Sequence, residues 1–183
     1  MTKKLLSVLL ILVLSMGIFT GCGSKVDEFV TVSNVNQSGV NVAEGFFQAI
    51  FTNDIDLFEA CFPDSFKSFE GEDGDTVNMQ EVLDQYASYI DPTYTYAGAS
   101  LSGYNDYNEE YGYTDFDSLA EDIAAIHHTT PDMIAQAQIV KLRLNFDTDD
   151  GSRLTNDVYI LVYKTDMAWY VFELQNSDAE FAV

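Results

Sequence analysis

The sequence predicts an α+β domain, with N-terminal helices packed on one face of a curved, mainly antiparallel sheet. Two observations carry this expectation. Apolar residues recur at helical spacing through the first half of the chain, and in the last third the period changes to strict alternation. Helical segments followed by a run of strands are the pattern of an α+β layer architecture. A third observation, the Asp150-Gly151 pair between two alternating segments, supplies a hairpin turn.

The chain begins with Lys3 and Lys4, an apolar run from Leu5 to Phe19, and the small-residue stretch Phe19-Thr20-Gly21-Cys22. That order is the anatomy of a secretory signal. A helix spanning the hydrocarbon core needs about 20 apolar residues, so the run is short for a permanent span. Phe19-Thr20-Gly21-Cys22 resembles the lipobox of bacterial lipoproteins, with Phe19 where that family most often has Leu. The resemblance implies a diacylglycerol thioether on the Cys22 sulfur, cleavage of the Gly21–Cys22 bond, and a place at the outer face of the cell membrane, with a Gram-positive bacterium as the expected source. Two acyl chains anchor stably, because each buried methylene contributes about 0.8 kcal/mol. The alternative is an uncleaved apolar anchor; it too puts the domain outside the cytoplasm. The expected organisation is a signal peptide over 1–21, the lipidated cysteine and a polar tether over 22–41, and one domain over 42–183.

Within that domain, Ala43, Phe46, Phe47, Ile50 and Phe51 form an apolar helical stripe. A short second helix in "DIDLFEACF" stops at Pro63, whose ring cannot continue a helix. Asn78 and Glu81 make a capping-box-like start for a third, carrying Met79, Val82, Leu83 and Tyr86 and ending before Asp91-Pro92. Phe116, Leu119, Ile123 and Ile126 define a fourth, broken at Thr130-Pro131. Then "QAQIVKLRLNF" places Val140, Leu142, Leu144 and Phe146 on one side and Lys141 and Arg143 on the other; "LTNDVYILVYK" and "MAWYVFEL" follow, giving three antiparallel strands in series.

Phe46 and Phe47 on the early helix, with Asp166, Trp169 and Tyr170 in the last hairpin, resemble the nuclear transport factor 2-like, cone-shaped fold found in many Gram-positive lipoproteins. The resemblance implies a pocket between sheet and helices. Enzymes of that fold, isomerase-like and dehydratase-like, place Asp, Tyr or His in it as acid and base. No residue of this chain maps onto such a catalytic motif, and fold alone does not license function.

Four groups of residues are candidates for a site. Cys61 stands among Leu57, Phe58 and Phe62 and reads as a buried thiol; with Cys22 lipidated it has no partner for a disulfide. His127 and His128 are adjacent at a helix end, where a charged imidazole suits the helix dipole, but neighbours on a helix point in different directions and cannot form an i, i+4 ligand pair. "FEGEDGDTVNMQE" and "DTDDGSR" could attract calcium, although Gly74 and Gly151 stand at the wrong offset for an EF-hand, and solvated acidic loops are the alternative. The stretch from Tyr94 to Phe116 holds Tyr104, Tyr107, Tyr111 and Tyr113, either a binding surface or a hairpin or loop whose rings pack on its own helices.

With 30 acidic against 8 basic residues and a formal charge of −22, the surface repels phosphate backbones. Nucleic-acid affinity comes largely from Lys and Arg displacing counterions, so DNA and RNA are excluded as expected partners. The functional expectation is a lipid-anchored, extracytoplasmic domain that binds an envelope protein, a peptide or a glycan without catalysis and with no obligatory cofactor. A small acid/base enzyme using the cone pocket is the rival, and a calcium-stabilised module the third reading.

Overall fold

A computed structural model of the chain describes residues 30–71, 74, 76–90, 93–106 and 115–175. Helix α1 (Gly39–Thr52) starts at Ser38, whose side chain accepts from the Asn41 amide, and ends at Asn53 in the left-handed region. Asp54 then caps α2 (Ile55–Ala60), and Pro63 precedes the single turn α3 (Asp64–Lys67). Asn78 accepts from the Glu81 amide at the start of α4 (Met79–Ala87), the cap the sequence implies. Strand β1 (Tyr94–Asp106) comes next, then α5 (Phe116–His127), capped by Asp115. Strands β2 (Ile134–Thr148), β3 (Arg153–Thr165) and β4 (Trp169–Gln175) complete the described residues. No described helix is long and apolar enough to cross a membrane.

The four strands form one antiparallel sheet in the order β1-β2-β3-β4. The α+β expectation therefore holds, with helices packed against a curved sheet. The Asp-Gly hairpin between β2 and β3 also forms, with Gly151 at φ 80°. Beyond the three expected strands the sheet has a fourth, β1, made from the first part of the tyrosine-rich stretch. Gly98 at φ 107° and register shifts at Tyr96/Ala99 and Leu101/Gly103 interrupt its alternation. Those bulges hide the period of two that would mark a strand.

Side chains of successive strand residues point to opposite faces, so the sheet supports two separate cores. On one face α1, α2 and α4 close over Val140, Leu142, Leu144, Ile160 and Val162. Phe46 lies at the centre, with ring centroids 5.4 to 6.1 Å from Phe47, Phe58, Phe62 and Tyr86. Each such pair contributes about 0.5–1.5 kcal/mol beyond area burial. On the other face lie Ile139, Tyr159, Leu161 and Tyr163, covered by α5. The sequence reading put the helices on one face; the alternation of β3 sends Ile160 and Val162 one way and Leu161 and Tyr163 the other, and α5 takes the second side.

Val30, the first described residue, is already packed, well before the expected boundary at residue 42. Val30 is 6% and Val35 0% exposed, and both belong to the main core. The Gln48 side chain accepts from the Val30 amide at 2.9 Å and donates to its carbonyl at 2.8 Å. Asn36 donates to the carbonyls of Ala60 and Trp169, both at 2.8 Å, and the Val171 amide donates to Cys61 O at 3.0 Å. These contacts join the segment before α1 and the end of α2 to the outer edge of β4. Residues 30–41 are thus part of the domain, because isolated valines in a polar stretch find a non-local partner that local composition does not reveal. Residues 1–29, Cys22 among them, lie outside the described residues.

Candidate functional site

Three places on the described molecule bring together the residue types that a site needs. The first is interior. His127 ends α5 at 2% exposure, its Nδ1 2.7 Å from the Tyr163 hydroxyl on β3. Phe62, Phe66 and Phe172 surround the imidazole, with centroids 6.2, 5.0 and 5.7 Å away. The Ser65 hydroxyl donates to the His127 carbonyl at 2.6 Å. Burial, helped by the neighbouring charge of His128, lowers the His127 pKa to about 3, so the ring is neutral at ordinary pH. Burial, with the Tyr170 charge adding to it, likewise pushes the Tyr163 phenol well above its usual range.

An acid/base pair must come within hydrogen-bond reach of a substrate proton. This one is sealed by aromatic rings, so its geometry is that of a polar pin between helix and sheet. His128 points elsewhere: it takes the left-handed conformation at φ 52° and stacks on Phe69 at 3.3 Å between centroids. The two histidines therefore diverge, as adjacent helix-end residues must.

The second place is an open groove of about 710 Å³ beside the first described residues, lined by Val30, Val32, Gln48, Thr52, Asp54 and Leu57 among others. Its polar groups are already engaged in structure. Gln48 holds Val30, and Asp54 accepts from the Leu57 amide at 3.1 Å. What remains is a mostly apolar surface bordered by the Asp54 carboxylate, suited to contact more than to chemistry.

The third is the face of β2 and β3 that α5 leaves bare. Arg143 and Lys141 both reach Asp157, at 2.9 and 3.2 Å, and Arg153 reaches Asp147 at 2.9 Å. Burial alone would raise the Asp157 pKa, but hydrogen bonds and charge from Arg143 and Lys141 outweigh it and hold the carboxyl below its usual value. Partly exposed pairs of this kind are screened and contribute about 0–1 kcal/mol each.

The residues singled out from sequence are distributed as follows. Tyr104 lies on β1 at 48% exposure, paired in register with Val140. Tyr94 and Tyr96 instead pack on the main core, Tyr96 stacked on Phe51 at 5.0 Å. Tyr107, Tyr111 and Tyr113 lie outside the described residues. Cys61 is fully buried, its Sγ 3.3 Å from the Leu57 carbonyl, and burial raises its pKa far above the usual thiol value. In "DTDDGSR", Asp150 accepts from the Thr148 hydroxyl at 2.6 Å and from the Ser152 amide at 3.0 Å, which spends its carboxylate within the turn. Among the described residues no group of three His, Cys, Asp or Glu side chains is placed to hold a metal ion. The His127–Tyr163 pair was not foreseen as a pair; the only sequence signal was alternation placing Tyr163 on the face opposite Val162. No protein-family model, no curated protein and no solved structure matches this chain.

Proposed function

We propose that the chain is a lipid-anchored extracytoplasmic protein whose cone-shaped domain binds a ligand or partner at its surface without turning it over. The observation that carries the reading is the filled interior: Phe46, Phe58, Leu142, Leu144 and Ile160, each at most 1% exposed, occupy the space between helices and sheet where a substrate would enter. A partner then meets the outside of the domain, where Tyr104 and the groove at Val30 offer apolar surface with hydroxyl and amide groups at its margins. The anchor rests on the Lys3-Lys4 start, the apolar run and the lipobox-like Phe19-Thr20-Gly21-Cys22. Charge of −22 turns the search toward cationic or neutral partners: a basic peptide, an envelope protein or a glycan.

Two measurements test the two halves of this reading. Cells fed an alkyne-tagged fatty acid should label the wild-type chain and leave the Cys22→Ala chain unlabelled and released from the membrane fraction; label that survives the substitution overturns the anchor. For the domain, envelope proteins and a panel of glycans are captured with wild type and with a Tyr104→Ala/Tyr107→Ala/Tyr111→Ala variant. Identical recovery by both removes the tyrosine surface from the proposal.

A further inference from the structure

We propose that helix α5 is a detachable flap, held to its face of the sheet at His127 and released in acid while the rest of the domain stays folded. The two cores make this possible. Leu119, Ala120, Ile123 and Ala124 of α5 pack only into the smaller cluster, with Ile139, Leu161 and Phe172. The main core, on the opposite face, contains no α5 residue. Removing α5 therefore leaves α1, α2 and α4 on the sheet, and the main core loses only the contacts of Phe62 and Phe66 with the His127 ring. Units that bury little and share few contacts with the main core open at lower free energy than the whole molecule.

Two hydrogen bonds made at His127 tie α5 to α3 and to β3, from the Ser65 hydroxyl to its carbonyl and between Nδ1 and the Tyr163 hydroxyl. The groups facing the imidazole from the packed elements are Phe66 of α3, Phe62 before it, Tyr163 of β3 and Phe172 of β4, with His128 next in the chain, while Ser65 of α3 holds the His127 carbonyl. The ion pair Asp64–Lys67 on α3 acts on Tyr170, whose ring lies 5.8 Å from that of Tyr163. Among the described residues a proton arriving on His127 thus finds no carboxylate that would offset burial, which holds the ring neutral down to about pH 3. In the open form the imidazole is hydrated and binds its proton near 6.5, so acid favours opening. Opening uncovers Tyr159, Leu161, Tyr163 and Phe172, an aromatic and apolar sheet face.

Amide hydrogen exchange on the full chain at pH 7 and pH 5, corrected for intrinsic rates, reads the flap directly. At pH 7 the amides of α5 are expected to exchange through a cheaper opening than those of Ile160 to Tyr163 on β3. Between pH 7 and pH 5 the open population of α5 should rise about 25-fold, the ratio set by a site that titrates at 6.5 when open and near 3 when closed. In a His127→Leu/Tyr163→Phe variant, which removes both partners together, that rise should vanish. Equal exchange of α5 and β3 at both pH values would show one cooperative unit and overturn the proposal, as would an α5 that is indifferent to pH. The wild-type comparison decides the matter even where the variant does not fold.

Discussion

Gly45 lies inside α1 with the segment before the helix pressed against it. A methyl group built there would stand 2.5 Å from Val35 Cγ2 and 3.3 Å from Val30 Cγ1. Gly45→Ala gains about 1 kcal/mol of helix propensity, but forcing a methyl into a packed core costs about 1–3 kcal/mol. The expected net effect is a loss of roughly 0–2 kcal/mol. Val35→Ala empties a fully buried site and should cost about 2–3 kcal/mol from lost transfer energy and a residual cavity. In the double variant the new methyl enters the vacated space, the clash disappears and the propensity gain remains. It should therefore be more stable than Val35→Ala alone by about 1 kcal/mol, a coupling that only contacting residues show. Urea unfolding followed by the fluorescence of Trp169, the single tryptophan and 8% exposed, measures all four proteins. If Val35→Ala were neutral and Gly45→Ala simply stabilising, Val30–Ser38 would not be packed on α1 and the tether would run on to Asn41.

His127 has a folded pKa of about 3, below its value of 6.5 when exposed, so its contribution to stability is whole above pH 6.5 and is lost as pH falls toward 3. Between pH 7 and pH 5 the wild type should lose about 2 kcal/mol through this group, and the His127→Leu/Tyr163→Phe variant none of it; equal losses in urea midpoints would refute the assignment. Asn36→Ala strips the Ala60 and Trp169 carbonyls of their shared donor, and a drop of about 1–3 kcal/mol is expected. A change below about 0.5 kcal/mol would mean that water replaces the amide at no cost. In a Cys22→Ser chain, Cys61 should resist an aromatic disulfide reagent until urea unfolds the domain, since its thiol is buried and its pKa is raised; prompt reaction in the native state would contradict the packing.

The elements legible in the sequence were those whose period survives locally. The stripe of α1, the Asn78 cap of α4, the alternation of β2 and the Asp-Gly turn all depend on residues within a few positions of one another, and each forms as expected. Strand β1 was hidden because two bulges and Gly98 break its alternation, although Tyr94 and Tyr96 keep it for three residues. The strap from Val30 to Asn36 was hidden for a different reason: its partners, Gln48, Ala60 and Trp169, lie from 18 to 133 positions away. Site legibility divides the same way. Burial of Cys61 follows from the Leu and Phe around it, whereas the pairing of His127 with Tyr163 spans 36 positions and requires the sheet.

Gln48 grips Val30 by both of its backbone groups, at the amino end of the described residues. Any tension along the amino end is therefore met first by two hydrogen bonds on a helix that crosses the main core. Asn36 passes the remaining load on to α2 and to the rim of β4. A pull applied at Val30 thus loads side-chain clasps before any strand, and such clasps can re-form without disturbing the sheet.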